Sequence, residues 1–323
     1  MEEPIIKGDY KFLREFNLGD HVFLNKATAM YFPILSPVTD SRQEEGLCGF
    51  YATTDVIHTL LTIHEATLPG EQSQYFDSRF MDTPSVGQLL DTGLQHMSML
   101  QKYVSKDGLT SKEHYTDRAK TNSNNTKITL TGCIRYKTSE FKTFRGDDLH
   151  ASIECIEGAD FNDVNDNFPD ACINHIRRYG PVVGVFDCMM DSDLICEMPI
   201  YESKVSEFVR TADGVVLAHA VMITGYGLAI HLPTGRMITY YVIQNNWGKE
   251  EESDNSEKSS EEDDDSEKKE EYVGRLPCNM FHVAYGHKMD KQQDLIQFSE
   301  NEDTSNIAII KKEFLKLAKL PSC

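Results

Sequence analysis

The sequence has none of the features that mark a membrane or nucleic-acid protein. No segment approaches the roughly 20 consecutive apolar residues of a membrane-spanning helix. The opening residues, Met1-Glu2-Glu3-Pro4, place acid early and offer no apolar core for a secretory leader, so a cytoplasmic location is the expectation. Positive charge is scarce: 32 Lys and Arg stand against 52 Asp and Glu, a net charge of −20. Binding nucleic acid needs a basic face that displaces phosphate counterions, and no stretch supplies one, which excludes that partner. The eight cysteines never fall at C-x-x-C spacing, and Cys48 stands alone until Cys133. That arrangement excludes a structural zinc knuckle and suits a reducing compartment. The ten histidines other than His219 make no metal-ligand pattern, so neither a metal nor another cofactor is expected. The last four residues begin with Leu320 rather than a cysteine, which excludes a prenylation box.

A chain of 323 residues with 40 % hydrophobic side chains can build a two-lobed domain or two domains. Leu47 to Leu68 reads as a helix, with Ala52, Val56 and Leu60 at i+4 spacing beside a second pair, Ile57 and Leu61. Val86 to Val104 reads as another, with Leu89, Leu90 and Leu94 on one face. The character then changes. Lys127 to Tyr136 alternates as a strand does, and Pro169 to Tyr179 predicts a short helix with Pro169 near its first position. Val182 to Phe186, Val215 to Tyr226 and Met237 to Gln244 read as strands, the last two joined through Pro233-Thr234-Gly235. Helices first and strands later imply an α+β chain, a helical lobe followed by a β-rich one. Residues 249 to 271 hold thirteen acids and four lysines and cannot bury a core, so they predict a solvated, disordered insertion. A basic protein partner is the sharper expectation for this run, alongside phosphorylation of its serines. Ile307 to Leu320 predicts a terminal helix.

The chemistry starts from one thiol. A cysteine attacks as thiolate, and a helix N-terminus or a neighbouring imidazolium favours that form. Cys48 stands where the Leu47–Leu68 helix begins, after Gly46. Taken alone it reads as a packed side chain as readily as a nucleophile. Four further pieces of sequence bear on it. Pro37-Val38 and Gln43 precede Gly46-Leu47-Cys48. Gly108-Leu109-Thr110-Ser111-Lys112-Glu113-His114-Tyr115 follows the second helix. Tyr179-Gly180-Pro181-Val182-Val183-Gly184-Val185 comes later. Then come Leu217-Ala218-His219-Ala220-Val221 and, after a hairpin, Gln244-Asn245-Asn246-Trp247-Gly248.

In content and order these pieces resemble the papain-like cysteine peptidases. The resemblance spans roughly residues 36 to 286 with gaps, and the His-Ala-Val and Asn-x-Trp-Gly segments are its most specific parts. It implies a papain-like two-lobed fold, with a helical N-terminal lobe, a β-barrel-like C-terminal lobe and the active site in the cleft between. The lobes would run over 36–125 and 126–298, the latter carrying the insertion at 249–271. A segment 1–35 would precede them and a tail 299–323 would follow. The resemblance also implies a thiol-dependent peptidase acting on peptide or protein substrates through an acyl-enzyme. Cys48 would be the nucleophile, His219 its base and Asn245 the holder of the imidazole. Gln43 would donate to the oxyanion, and Trp247 would shield the His–Asn pair from water.

Departures from the family pattern are equally legible. Gly49 stands where the family has an aromatic residue, and Gln43 lies five residues before Cys48, one fewer than usual. No cysteine falls in the family's first disulfide segment, and fewer than 50 residues precede Cys48, too few for the inhibitory propeptide. About 170 residues separate Cys48 from His219, against about 130–150 in the family, so the chain carries insertions. These departures give the rival reading, a catalytically inactive papain fold kept as a binding or regulatory module.

Overall fold

A computed structural model describes residues 4–20, 22–25, 30–35, 46–67, 85–92, 97–110, 115, 135–136, 138, 140–149, 170–188, 195–201, 208–245, 272–288 and 295–296. The acidic run 249–271, the C-terminal segment 307–320 and most of the predicted strand 127–136 lie outside these residues.

The strands are β1 (Ile5–Lys7), β2 (Tyr10–Asn17), β3 (Val22–Asn25), β4 (Met30–Pro33), β5 (Arg135–Tyr136), β6 (Glu140–Arg145), β7 (Val182–Asp187), β8 (Ala218–His231), β9 (Arg236–Gln244), β10 (Val273–Pro277), β11 (Phe281–Lys288) and β12 (Leu295–Ile296). The helices are α1 (Cys48–Thr67), α2 (Val86–Leu90), α3 (Met97–Lys106) and α4 (Ala171–Tyr179). The class is α+β, built on one eight-stranded sheet whose main path runs β1-β2-β8-β7-β11-β6, with β9 and β10 branching from β8. All of its pairings are antiparallel.

Strand β8 organises this sheet. Along one edge it pairs with β7 over Ala218–Ile223 and then with β2 over Gly225–His231, while β9 covers Met222–His231 on the other edge. The change of partner coincides with a register shift between Ile223 and Gly225. Glycine is required there by close approach: a Cβ on Gly225 would lie 2.0 Å from the Phe16 carbonyl oxygen, and one on Gly227 2.7 Å from that of Arg14. Both faces of β8 are covered, and Ala220 through Ala229 are buried. Continuous rather than alternating apolar residues are what such a two-sided strand needs.

The two stripes on α1 serve two different cores. Ala52, Val56 and Leu60 pack with Val183, Ile223 and the rest of the main core, whereas Ile57 and Leu61 join Leu89, Leu100, Val104 and Leu109 in a smaller helical core. The predicted single helix Val86–Val104 is two helices. Ser85 caps α2 by accepting from the Gln88 N–H, and at the other end the Asp91 N–H bonds Gly87 O and the Thr92 hydroxyl bonds Leu89 O, which closes the helix. The periodicity carried across this break because Leu89 and Leu100 face the same core. Gln88 ties the lobe to the Gly108–Thr110 segment: its amide donates to Gly108 O at 2.8 Å and its carbonyl accepts from the Thr110 N–H at 2.8 Å.

Helix α4 opens at Ala171, capped by the Asp170 carboxylate, which accepts from the Ile173 N–H at 2.8 Å. The acidic residue Asp170 is thus the N-cap, and Pro169 itself lies outside the described residues. Eight strands emerge that the sequence pattern did not single out, β1 to β4, β6 and β10 to β12. Residue Glu15 of β2 holds the Arg275 guanidinium of β10 in a two-pronged ion pair, 2.5 and 2.8 Å, and accepts from the Tyr240 hydroxyl at 2.7 Å. Among the described residues no helix is long and apolar enough to cross a membrane.

Substituting Gly225→Ala forces a methyl against the β2 backbone, which cannot yield as a flexible side chain can. The expected loss is more than about 2 kcal/mol of unfolding free energy in urea. An unchanged midpoint would contradict the close β2–β8 approach.

Candidate functional site

The site is assembled at the start of β8. The β7–β8 register sets Phe186 opposite His219, and the Phe186 ring meets the imidazole edge-on with centroids 5.7 Å apart. Asn245 directly follows β9. Its backbone N–H donates to Tyr272 O at 2.9 Å, which fixes it beside the residue leading into β10. From there its side-chain oxygen lies 3.0 Å from Nε2 of His219. An oxygen acceptor at Nε2 selects the tautomer with the proton on that nitrogen and leaves Nδ1 as the basic atom. His219 and Asn245 are both buried.

Cys48 is the first residue of α1. Gly46, with φ of +80°, turns the chain into the helix, and the Leu47 carbonyl accepts from the Phe50 N–H at 2.9 Å. The thiol is turned toward β8 and receives the backbone N–H of Ala220, the neighbour of His219. The start of α1 and the imidazole are thus brought to the same short stretch of strand. Gln43 and Trp247, the other two predicted site residues, lie outside the described residues.

The electrostatics follow from burial. The Cys48 thiol is pushed above its ordinary value, first by desolvation; the N–H groups of Ala220 and Gly49 work against that rise, and the nearby Cys188 adds to it. His219 is pushed down to about 4 by desolvation, with the Asn245 bond working in the opposite direction. Both groups are therefore neutral at pH 7. A neighbouring imidazolium would lower the thiol, but the low-dielectric surroundings favour the neutral form of both groups, because neither charge is solvated. A neutral imidazole can accept a proton at Nδ1, and a thiol at a helix N-terminus can attack an electrophile.

Three nearby features were not singled out from sequence: the Phe186 ring, the Ala220 N–H and Cys188. The Cys188 N–H donates to Leu217 O at 2.7 Å, two residues before His219. Strand alternation could have flagged Phe186, which lies in the segment beginning Gly180-Pro181. The other two depend on pairing register. Among the described residues no three His, Cys, Asp or Glu side chains converge as metal ligands.

Comparison with known proteins finds a family and similar solved structures. The family model for papain family cysteine proteases matches residues 91–256, just over half of the chain. That span holds His219, Asn245 and Trp247 and begins after Cys48. A crystal structure of the Amb a 11 cysteine protease, a major ragweed pollen allergen, in its proform, aligns with a TM-score of 0.42 at 14 % identity, covering 92 % of this chain and 69 % of that one. No curated protein sequence matches.

Buried histidines make stability depend on pH. His175 and His219 are lowered to about 4 and His287 to about 3, each mainly by desolvation. An unfolded histidine titrates near 6.5, so the unfolded chain holds more protons between those values. Stability from these groups is complete above about pH 6.5 and is lost as pH falls toward 4, at roughly 2 kcal/mol per histidine by pH 5. Urea unfolding at pH 7 and pH 5 is expected to differ by several kcal/mol, with His287→Gln reducing the difference; equal stability at the two pH values would contradict neutral burial.

Proposed function

The chain belongs to the papain family of cysteine proteases, and from that membership we propose that it is a thiol peptidase in which Cys48, His219 and Asn245 carry the reaction. The single observation that supports this most is the pair formed by His219 Nε2 and Asn245 Oδ1 at 3.0 Å, with the Cys48 thiol against the adjoining Ala220 N–H. On this reading a peptide carbonyl enters the cleft between the lobes at 36–125 and 126–298. The Cys48 sulfur attacks the carbonyl carbon as its proton passes to Nδ1 of His219. The tetrahedral oxyanion takes the Cys48 backbone N–H and the Gln43 side chain as donors.

The imidazolium then gives its proton to the leaving amine, and the C–N bond breaks to leave a thioester on Cys48. Water repeats the sequence: it loses a proton to His219, adds to the thioester and releases the acid and the free thiol. Asn245 acts as a positioning residue, since it holds the ring through Nε2 so that Nδ1 faces the thiol. Trp247 shields this pair from water. Gly49, in place of an aromatic residue, leaves the cleft wall open beside the nucleophile.

Hydrolysis of fluorogenic dipeptide amides by the reduced protein is the direct check. Cys48→Ser and His219→Ala are each expected to lower kcat by about 10³-fold or more. Asn245→Ala is expected to lower it less, by about 10- to 100-fold, with KM little changed. A folded protein with no hydrolysis above the Cys48→Ser level would make the chain an inactive papain fold.

A further inference from the structure

A second concave feature lies away from this site. A cavity of about 230 Å³ opens between α4 and the β11–β6 edge of the sheet. Helix α4 turns Cys172, Ile173 and Ile176 into the core, so Ala171, Asn174 and Arg178, spaced i, i+3 and i+7, form its cavity face. Opposite them stand Lys142 of β6 and Lys288 of β11. Lys142 is in register with Gly286, so Lys142 and Lys288 are diagonal neighbours on one face, about 7–8 Å apart. Gly286 lets the wall close in, since a Cβ there would lie 2.8 Å from the His175 ring.

We propose that this cavity is an oxyanion-binding site that takes a phosphate or carboxylate group between Lys142, Arg178 and Lys288. Three cations from three separate elements converge on one concavity in a chain whose net charge is −20. Among the described lining side chains none is acidic; Glu140, in register with Lys288, is the acid of that strand pair. The donors are also held in place. The Lys288 ammonium lies 5.1 Å from the centre of the Tyr179 ring and the Lys142 ammonium 5.3 Å from that of Phe144. His175 forms a rigid wall, its Nε2 3.3 Å from the His287 carbonyl oxygen.

The volume is about eight times a water's share of the liquid, room for one or two phosphate groups or a short dicarboxylate. Val182, which with Lys142 flanks Gly286, precedes Phe186, the partner of His219, by four residues. The cavity is thus about 13 Å from His219 along the strand axis, and further across the sheet. It is a separate site, and the peptidase reading can fail without touching it.

Calorimetric titration of the full chain at pH 7 and low ionic strength, with inorganic pyrophosphate in one arm and glutarate in the other, tests the proposal. Saturable binding of either anion is expected, weakened at least about tenfold by Lys142→Gln and by Arg178→Gln and largely restored by Lys142→Arg. The stronger of the two probes identifies the natural group as phosphate or carboxylate. Absence of saturable binding in both arms overturns the site. So does binding that Lys142→Gln leaves unchanged; Lys142 is an exposed residue of an edge strand, so that variant is expected to keep its fold even if Arg178→Gln does not.

Discussion

Strand β8 is bonded along both edges and buried on both faces, and every other feature of the sheet is set by how it meets its neighbours. Its first half pairs with β7 and its second half with β2 on the same edge, while β9 follows the opposite edge. Such a strand has little freedom to slip, because a one-residue shift would turn its apolar set and both close-approach glycines to the wrong places. The Glu15–Arg275 ion pair adds a second tie, joining β2 to β10 from outside the β8 ladder.

The candidate site takes its character from this constraint. His219 lies at the end of β8 that pairs with β7, so its ring orientation is held by the sheet and by Asn245, the residue that follows the neighbouring strand β9. Burial in that setting keeps the imidazole neutral, and the same low-dielectric surroundings keep the Cys48 thiol protonated. The proposed chemistry therefore needs a proton to pass from the Cys48 thiol to the His219 imidazole.

Much of this was legible in the chain itself. The α1 stripes, the buried run after Pro181 and the hairpin through Pro233 all appear where apolar spacing and turn residues put them. Motif order linked Cys48, His219 and Asn245 across long intervals, and the fold brings the first to Ala220 and joins the other two by a hydrogen bond. Other features were beyond sequence. The break between α2 and α3 is made by Asp91 and Thr92 bonding to local carbonyls, which leaves apolar periodicity unbroken. Strand β2 lies along the second half of β8, a long-range pairing with no local signature, and β1 joins the sheet only through β2. The neutral state of the Cys48 and His219 side chains reflects solvent exclusion, which no spacing rule reports.

The central claim is that Cys48 is a nucleophile activated by His219. Labelling of the reduced protein with a peptidyl epoxide, read by intact mass and peptide mapping, tests it most directly. The account predicts one label per chain, on Cys48, lost in both Cys48→Ser and His219→Ala. A folded protein that takes up no label, or labels equally well without the His219 imidazole, would contradict it.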